Sequence, residues 1–98
     1  MHYLLSYQLA DNYLERRGEF RSAHLALAWQ AAEQGDLVLG GAVGEPVESA
    51  LLLFKVDDIG KVEHFAKTDP YVVNGLVQSY RILPWHTVAG AQASTPVR

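Results

Sequence analysis

The hydrophobic positions change period along the chain, and each change marks an element. His2 to Leu9 (H-Y-L-L-S-Y-Q-L) alternates, with Tyr3, Leu5, Tyr7 and Leu9 forming an apolar set and His2, Leu4, Ser6 and Gln8 a mixed one. Period two predicts a strand with one face on a core. From Arg17 to Gly35 the period becomes helical. At about 100° per residue, Phe20, Leu27, Ala28, Ala31 and Ala32 share one arc while Ser22, Gln30 and Glu33 lie opposite. His24 falls near the middle of the apolar arc, with Arg21 on its shoulder. Gly35 stands where a left-handed cap would end the helix. The helix starts either after Ser22 as N-cap or near Gly18, which leaves Ala10 to Glu19 as a polar connection.

Leu37 to Val43 reads as a second strand, in which Gly40-Gly41 permits close backbone approach or a bulge. Gly44-Glu45-Pro46 is turn chemistry, and Ser49 to Val56 is a third strand, apolar on both parities. Asp57 or Asp58 caps a second helix that sets Ile59, Val62, Phe65 and Ala66 on one side. Asp69 precedes Pro70 as an N-cap precedes a proline at the first helical position, so a short helix runs through Val73 and closes at Asn74-Gly75. Val77 to Val88 is the last strand, and Pro84, lacking an amide donor, marks an edge position or a bulge. Residues 1–88 form the domain; Ala89 to Arg98 is small and polar, and is expected to be a flexible tail.

This order, β-α-β-β-α-β, predicts an α+β subunit of ferredoxin-like arrangement, with both main helices on one face of a four-stranded antiparallel sheet. The other face is then bare. The third strand and the last one carry large side chains on both parities, and leaving about four of them wet forgoes ~1.5–3 kcal/mol apiece. A homodimer through the sheet faces is the expected remedy.

Composition narrows the function. The 98 residues, 49% hydrophobic and 19% charged, suit one globular domain. A net charge of −3 argues against a nucleic-acid surface, which needs a cationic field. There is no cysteine, so disulfides and thiolate metal sites are excluded. No basic leader followed by an apolar run opens the chain and no stretch approaches a membrane span, so a cytoplasmic location with no membrane partner is expected. His2, His24, His64 and His86 show no metal-ligand spacing. Neither a phosphate loop nor a nucleophile elbow occurs, so no metal or cofactor is expected, and covalent serine or cysteine catalysis is disfavoured.

Several of these pieces occur in an order that resembles a known family. Arg17, Arg21, His24 and Leu25 form an R-x-x-x-R-x-x-H-L pattern; Asp69, Pro70, Tyr71 and Val72 follow the second helix as D-P-Y-V; Gly75 and a closing strand with L-P-W come after. Together they resemble the YciI-like (YCII-related) proteins over nearly the whole chain to Val88. The resemblance implies a ferredoxin-like subunit forming a dimeric α+β barrel, and a pocket with a His–Asp pair at His24 and Asp69. A dechlorinating enzyme acting on a chlorinated hydroxyquinol is similar, so the resemblance also implies lyase-, isomerase- or dehydrochlorinase-type chemistry on small ring compounds. The chain departs from the common pattern at Ala42, where proline often follows glycine, and in its short connection between the second and third strands.

Two readings of the site follow. In the first, His24 is a general acid or base, because imidazole titrates near neutral pH, and Asp69 holds its tautomer. Arg17 and Arg21 bind an anionic group by guanidinium geometry, and Tyr71 lends a hydrogen bond to a small ligand. In the second, the same cleft belongs to a non-catalytic dimeric module that binds a small molecule or a partner. A His–Asp contact opening onto a pocket favours the first; His24 satisfied by backbone in a filled cleft favours the second.

Overall fold

Two periods sort the chain into a sheet and the helices that cover it. The computed structural model describes residues 1–98. In chain order the elements are β1 (His2–Leu9), α1 (Tyr13–Glu33), β2 (Leu37–Val43), β3 (Ser49–Lys55), α2 (Ile59–Thr68), α3 (Pro70–Val73) and β4 (Val77–Trp85). The strands pair antiparallel in the spatial order β2-β3-β1-β4, which makes β2 and β4 the edges. This is the ferredoxin-like α+β order that the alternation predicts.

Alternation decides which side chains meet the helices. Leu5 and Tyr7 of β1, Leu52 and Phe54 of β3, and Leu37 of β2 are buried, and Val62, Phe65 and Ala66 of α2 pack on them from above. Phe54 and Phe65 meet edge to face at 5.2 Å. Pro84 sits on edge strand β4, where its missing N–H is needed by no neighbour. No helix is long and apolar enough to cross a membrane.

Several expectations are corrected. The first helix begins at Tyr13, so most of the supposed connection Ala10 to Glu19 is helical. Its N-cap, Asn12, makes no side-chain capping bond, so the usual sequence signal is missing. What secures this first stretch is tertiary: Tyr13 is buried edge-on against Tyr71, and Arg16 Nη1 donates to the Asn74 carbonyl at 3.0 Å. The register shift in β2 falls between Leu37 and Leu39 rather than at Gly40-Gly41. Ile59, the first residue of α2, is 38% exposed rather than packed with Val62, Phe65 and Ala66. β4 ends at Trp85, three residues short of the expected Val88.

Asp58 is the cap of α2, accepting from Gly60 N at 2.8 Å. Gly35 closes α1 with φ +84°, and Gly75 follows α3 with φ +79°. Both angles lie in the left-handed region where a Cβ is strained, which is why glycine stands there.

The face turned away from the helices is graded. Reading β2 to β4, one row across it is Leu39, Leu53, Leu4 and Leu83; the next is Gly41, Leu51, Ser6 and Arg81; the last is Val43, Ser49, Gln8 and Ser79. Apolar side chains therefore gather at the end where His2 pairs with Lys55 and Trp85. Residues 86–98 form neither helix nor strand, but they hydrogen-bond back at that end: Val97 N to the Val88 carbonyl at 2.8 Å and Thr95 N to the Thr87 carbonyl at 3.1 Å.

Candidate active site

The local structure that makes the site is the join between α2 and α3. Pro70 can only begin a helix, and the preceding Asp69 takes the extended conformation a cap requires, φ −61° and ψ 122°. Its Oδ1 accepts from Tyr71 N at 3.0 Å. The cap is wholly buried, at 0% exposure, so its remaining lone pairs must be met by protein. They are. Tyr7 Oη, from β1, donates to Oδ2 at 2.6 Å, and His24 Nδ1, from α1, lies 2.8 Å from Oδ1.

Cap and ligand to histidine are thus one carboxylate serving three elements. An ionised carboxylate only accepts, so Nδ1 of His24 carries the proton and Nε2 presents a lone pair. No protein group bonds Nε2, and His24 lines a cavity of about 130 Å³. The imidazole is held flat as well, stacked on the Tyr71 ring at 3.9 Å and 9°.

Arg17 and Arg21 line the same cavity, one helical turn apart, together with Tyr7, Tyr71 and the small residues of β2 and β3. Neither arginine is paired with a carboxylate, whereas neighbouring Arg16 is tied to Asn74. The early start of α1 at Tyr13 puts Arg17 and Arg21 on the helical face of His24. All the residues singled out from the sequence, Arg17, Arg21, His24, Asp69 and Tyr71, therefore converge; Asp69 alone lies behind the cavity wall rather than on it.

Tyr7 was not singled out. Alternation placed it on the core face of β1, but nothing local marks a phenol whose partner is 62 residues away. Trp29 is 66% exposed and does not line this cavity. No group of three or more His, Cys, Asp or Glu side chains is placed to hold a metal ion.

The electrostatics follow from the packing. Burial, then the Asp69 charge and the hydrogen bond to it, raise the Tyr7 phenol far above its ordinary range. Burial chiefly, with Tyr13, also raises Tyr71, against an opposing pull from the Arg21 and Arg17 guanidiniums. The sign for stability is fixed. A phenol whose folded pKa exceeds its unfolded value of 10.0 stabilises fully below that pH and loses the contribution above it. Tyr7 alone should steepen alkaline unfolding above that value by about 1.4 kcal/mol per pH unit. Urea unfolding across that range should therefore show a shallower decline in Tyr7→Phe than in the parent, and equal slopes would contradict the assignment.

The profile of the YCII-related domain matches residues 1–86. No curated protein matches by sequence. Among solved structures, the 5-chloro-2-hydroxyhydroquinone dehydrochlorinase of Burkholderia phenoliruptrix AC1100, in complex with 2,5-dihydroxybenzoquinone, is similar in fold. It has a TM-score of 0.75 and 20% identity, over 89% of this chain and 95% of that one.

Proposed function

Because the chain belongs to the YCII-related family, we propose that the cavity beside His24 is the active site of a cofactor-independent enzyme that moves a proton on a small anionic ring compound. One observation carries this reading. Asp69 occupies Nδ1 of His24 at 2.8 Å, leaving Nε2 as a base beside two arginines that have no carboxylate of their own. A core histidine satisfied for packing alone would need neither the arginines nor the cavity.

The reaction would run as follows. Nε2 takes a proton from an acidic C–H or O–H of the bound compound, and the imidazolium formed is stabilised by Asp69 through Nδ1–H. Tyr7 Oη and Tyr71 N–H hold the carboxylate in place, so the ring neither turns nor changes tautomer. Arg17 and Arg21 take the negative charge left on the compound's oxygen. Nε2–H then returns the proton to another atom of the compound, an isomerisation, or to a departing group, an elimination. Shared fold with an enzyme named for dehydrochlorination supports the second outcome among the two.

The anion half is testable without a substrate. Arg21→Ala should weaken protection by benzoate in a thermal-shift assay by roughly tenfold in apparent affinity, with the fold intact. Equal protection in the parent, Arg17→Ala and Arg21→Ala would mean that these side chains only solvate the surface.

The subunit is further proposed to form a homodimer through its sheet faces. Leu39, Leu51, Val43 and Trp85 on that face are 71%, 36%, 40% and 45% exposed, a large apolar surface for one subunit to leave in water. Light scattering at micromolar concentration should give twice the chain mass; a folded monomer would rule this assembly out.

A further inference from the structure

A second cavity, of about 540 Å³, lies on the far side of the sheet from His24, between the leucine row and residues 86–93. That volume lies within the range of small-molecule sites, about 300–1,000 Å³. Leu39, Leu53 and Trp85 line it from the sheet, and the Val88–Ala93 strap lines it from the end of the chain. No acidic side chain lines it.

At its closed end sits His2, only 2% exposed. Nδ1 of His2 is held by Thr87 Oγ1 at 2.7 Å and Ser94 Oγ at 2.9 Å, and Ser94 N donates to Thr87 Oγ1 at 2.8 Å. These bonds pin the strap and account for one ring nitrogen. The other, Nε2, has no protein partner, yet no buried side-chain nitrogen is left unsatisfied and sealed. Nε2 is therefore not sealed off, and His2 lines the cavity. Two cationic groups act on the ring, neither of them lining the cavity itself. Lys55 is the register partner of His2 on the same face, and the Met1 amine is its chain neighbour; both charges act on the ring, and no carboxylate side chain opposes them.

An apolar slot lined by a buried imidazole with one free ring nitrogen, and with two cationic groups acting on that ring, suits an anionic head on an apolar body. We propose that this cavity binds a small carboxylic acid with an apolar body, its tail on Leu39 and Leu53 beside Trp85 and its carboxylate on His2 Nε2 near Lys55. In the proposed complex Nδ1 accepts from one of its two neighbouring hydroxyls, so the proton resides on Nε2 and is donated to the ligand. Burial, then the Lys55 charge and the amine, lower the His2 pKa, so the ring is neutral at pH 7 and the carboxylate meets a hydrogen-bond donor with lysine supplying the charge. The strap belongs to the same protomer, so the cavity is lined within one subunit.

Trp85 reports on the site directly, because the chain has only one other tryptophan, the exposed Trp29. In a Trp29→Phe background, octanoate should change Trp85 emission saturably, and octylammonium should not. Lys55→Gln should weaken octanoate roughly tenfold. Leu39→Glu, at a position too exposed to threaten folding, should abolish the response, whereas His24→Ala should leave it unchanged and so separates this site from the active site. Absence of a saturable change in the parent, an equal response to octylammonium, or a dimer whose formation expels octanoate would each overturn the proposal.

Discussion

Asp69→Ala is expected to destabilise the protein by about 3–5 kcal/mol, since each buried polar group left without its partner costs about 1–3 kcal/mol. The substitution strands three groups at once: the Tyr7 hydroxyl, the Tyr71 amide and His24 Nδ1. It also removes the cap that starts α3. Against a total of about 5–15 kcal/mol for a domain of this size, that is a large share. Tyr7→Phe, which loses one bond and leaves the cap intact, should cost only about 0.5–3 kcal/mol. Urea unfolding ranks the two. If Asp69→Ala is as mild as Tyr7→Phe, the carboxylate is not the hub described here.

The second large effect is on turnover. Once a substrate is in hand, His24→Ala should lower the rate by ~10²–10⁴-fold, the range for a positioned general base. Asp69→Asn keeps the size of the side chain and an oxygen for the Tyr71 amide, but removes the charge that stabilises the imidazolium. It too should lose activity without unfolding the subunit. The double variant is the informative one. Residues that act as a unit are not additive, so it should be little worse than the poorer single variant, whereas multiplied losses would mean independent roles.

Much of this arrangement was legible before any coordinates. Alternation in β1 gives Leu5 and Tyr7 as core residues, because a period of two assigns faces without knowledge of partners. By contrast β3, apolar on both parities, needs its pairing with β1 to make Leu52 and Phe54 the buried set. Asp69-Pro70 declares a helix start through the fixed φ of proline and the capping oxygen. His24 stands out because a titratable ring on an apolar arc needs a partner. What escaped notice depended on contacts distant in sequence. The first turns of α1 carry no capping bond and are held by Tyr71 and Asn74, some 58 residues away. Tyr7 reads as an ordinary core aromatic until the sheet brings its hydroxyl beneath Asp69. His2 looks like a surface residue of a terminal strand, and only the returning strap buries it.

The same split applies to the site. Residue types and helical spacing suggested the arginine pair, but their meaning rests on which carboxylates lie nearby, and that is a property of the fold. Arg16, Arg17 and Arg21 look alike in sequence; the first is spent on the Asn74 carbonyl and the other two face the cavity.

The central claim is that His24 presents an unprotonated Nε2 to an anion cavity. Long-range ¹H–¹⁵N spectra of the imidazole at a pH where the ring is neutral test it most directly. The account predicts a proton on Nδ1, a lone pair on Nε2, and a shift of the Nε2 signal when benzoate is added, lost in Arg21→Ala. A neutral ring carrying its proton on Nε2, or an Nε2 signal indifferent to benzoate, would contradict it.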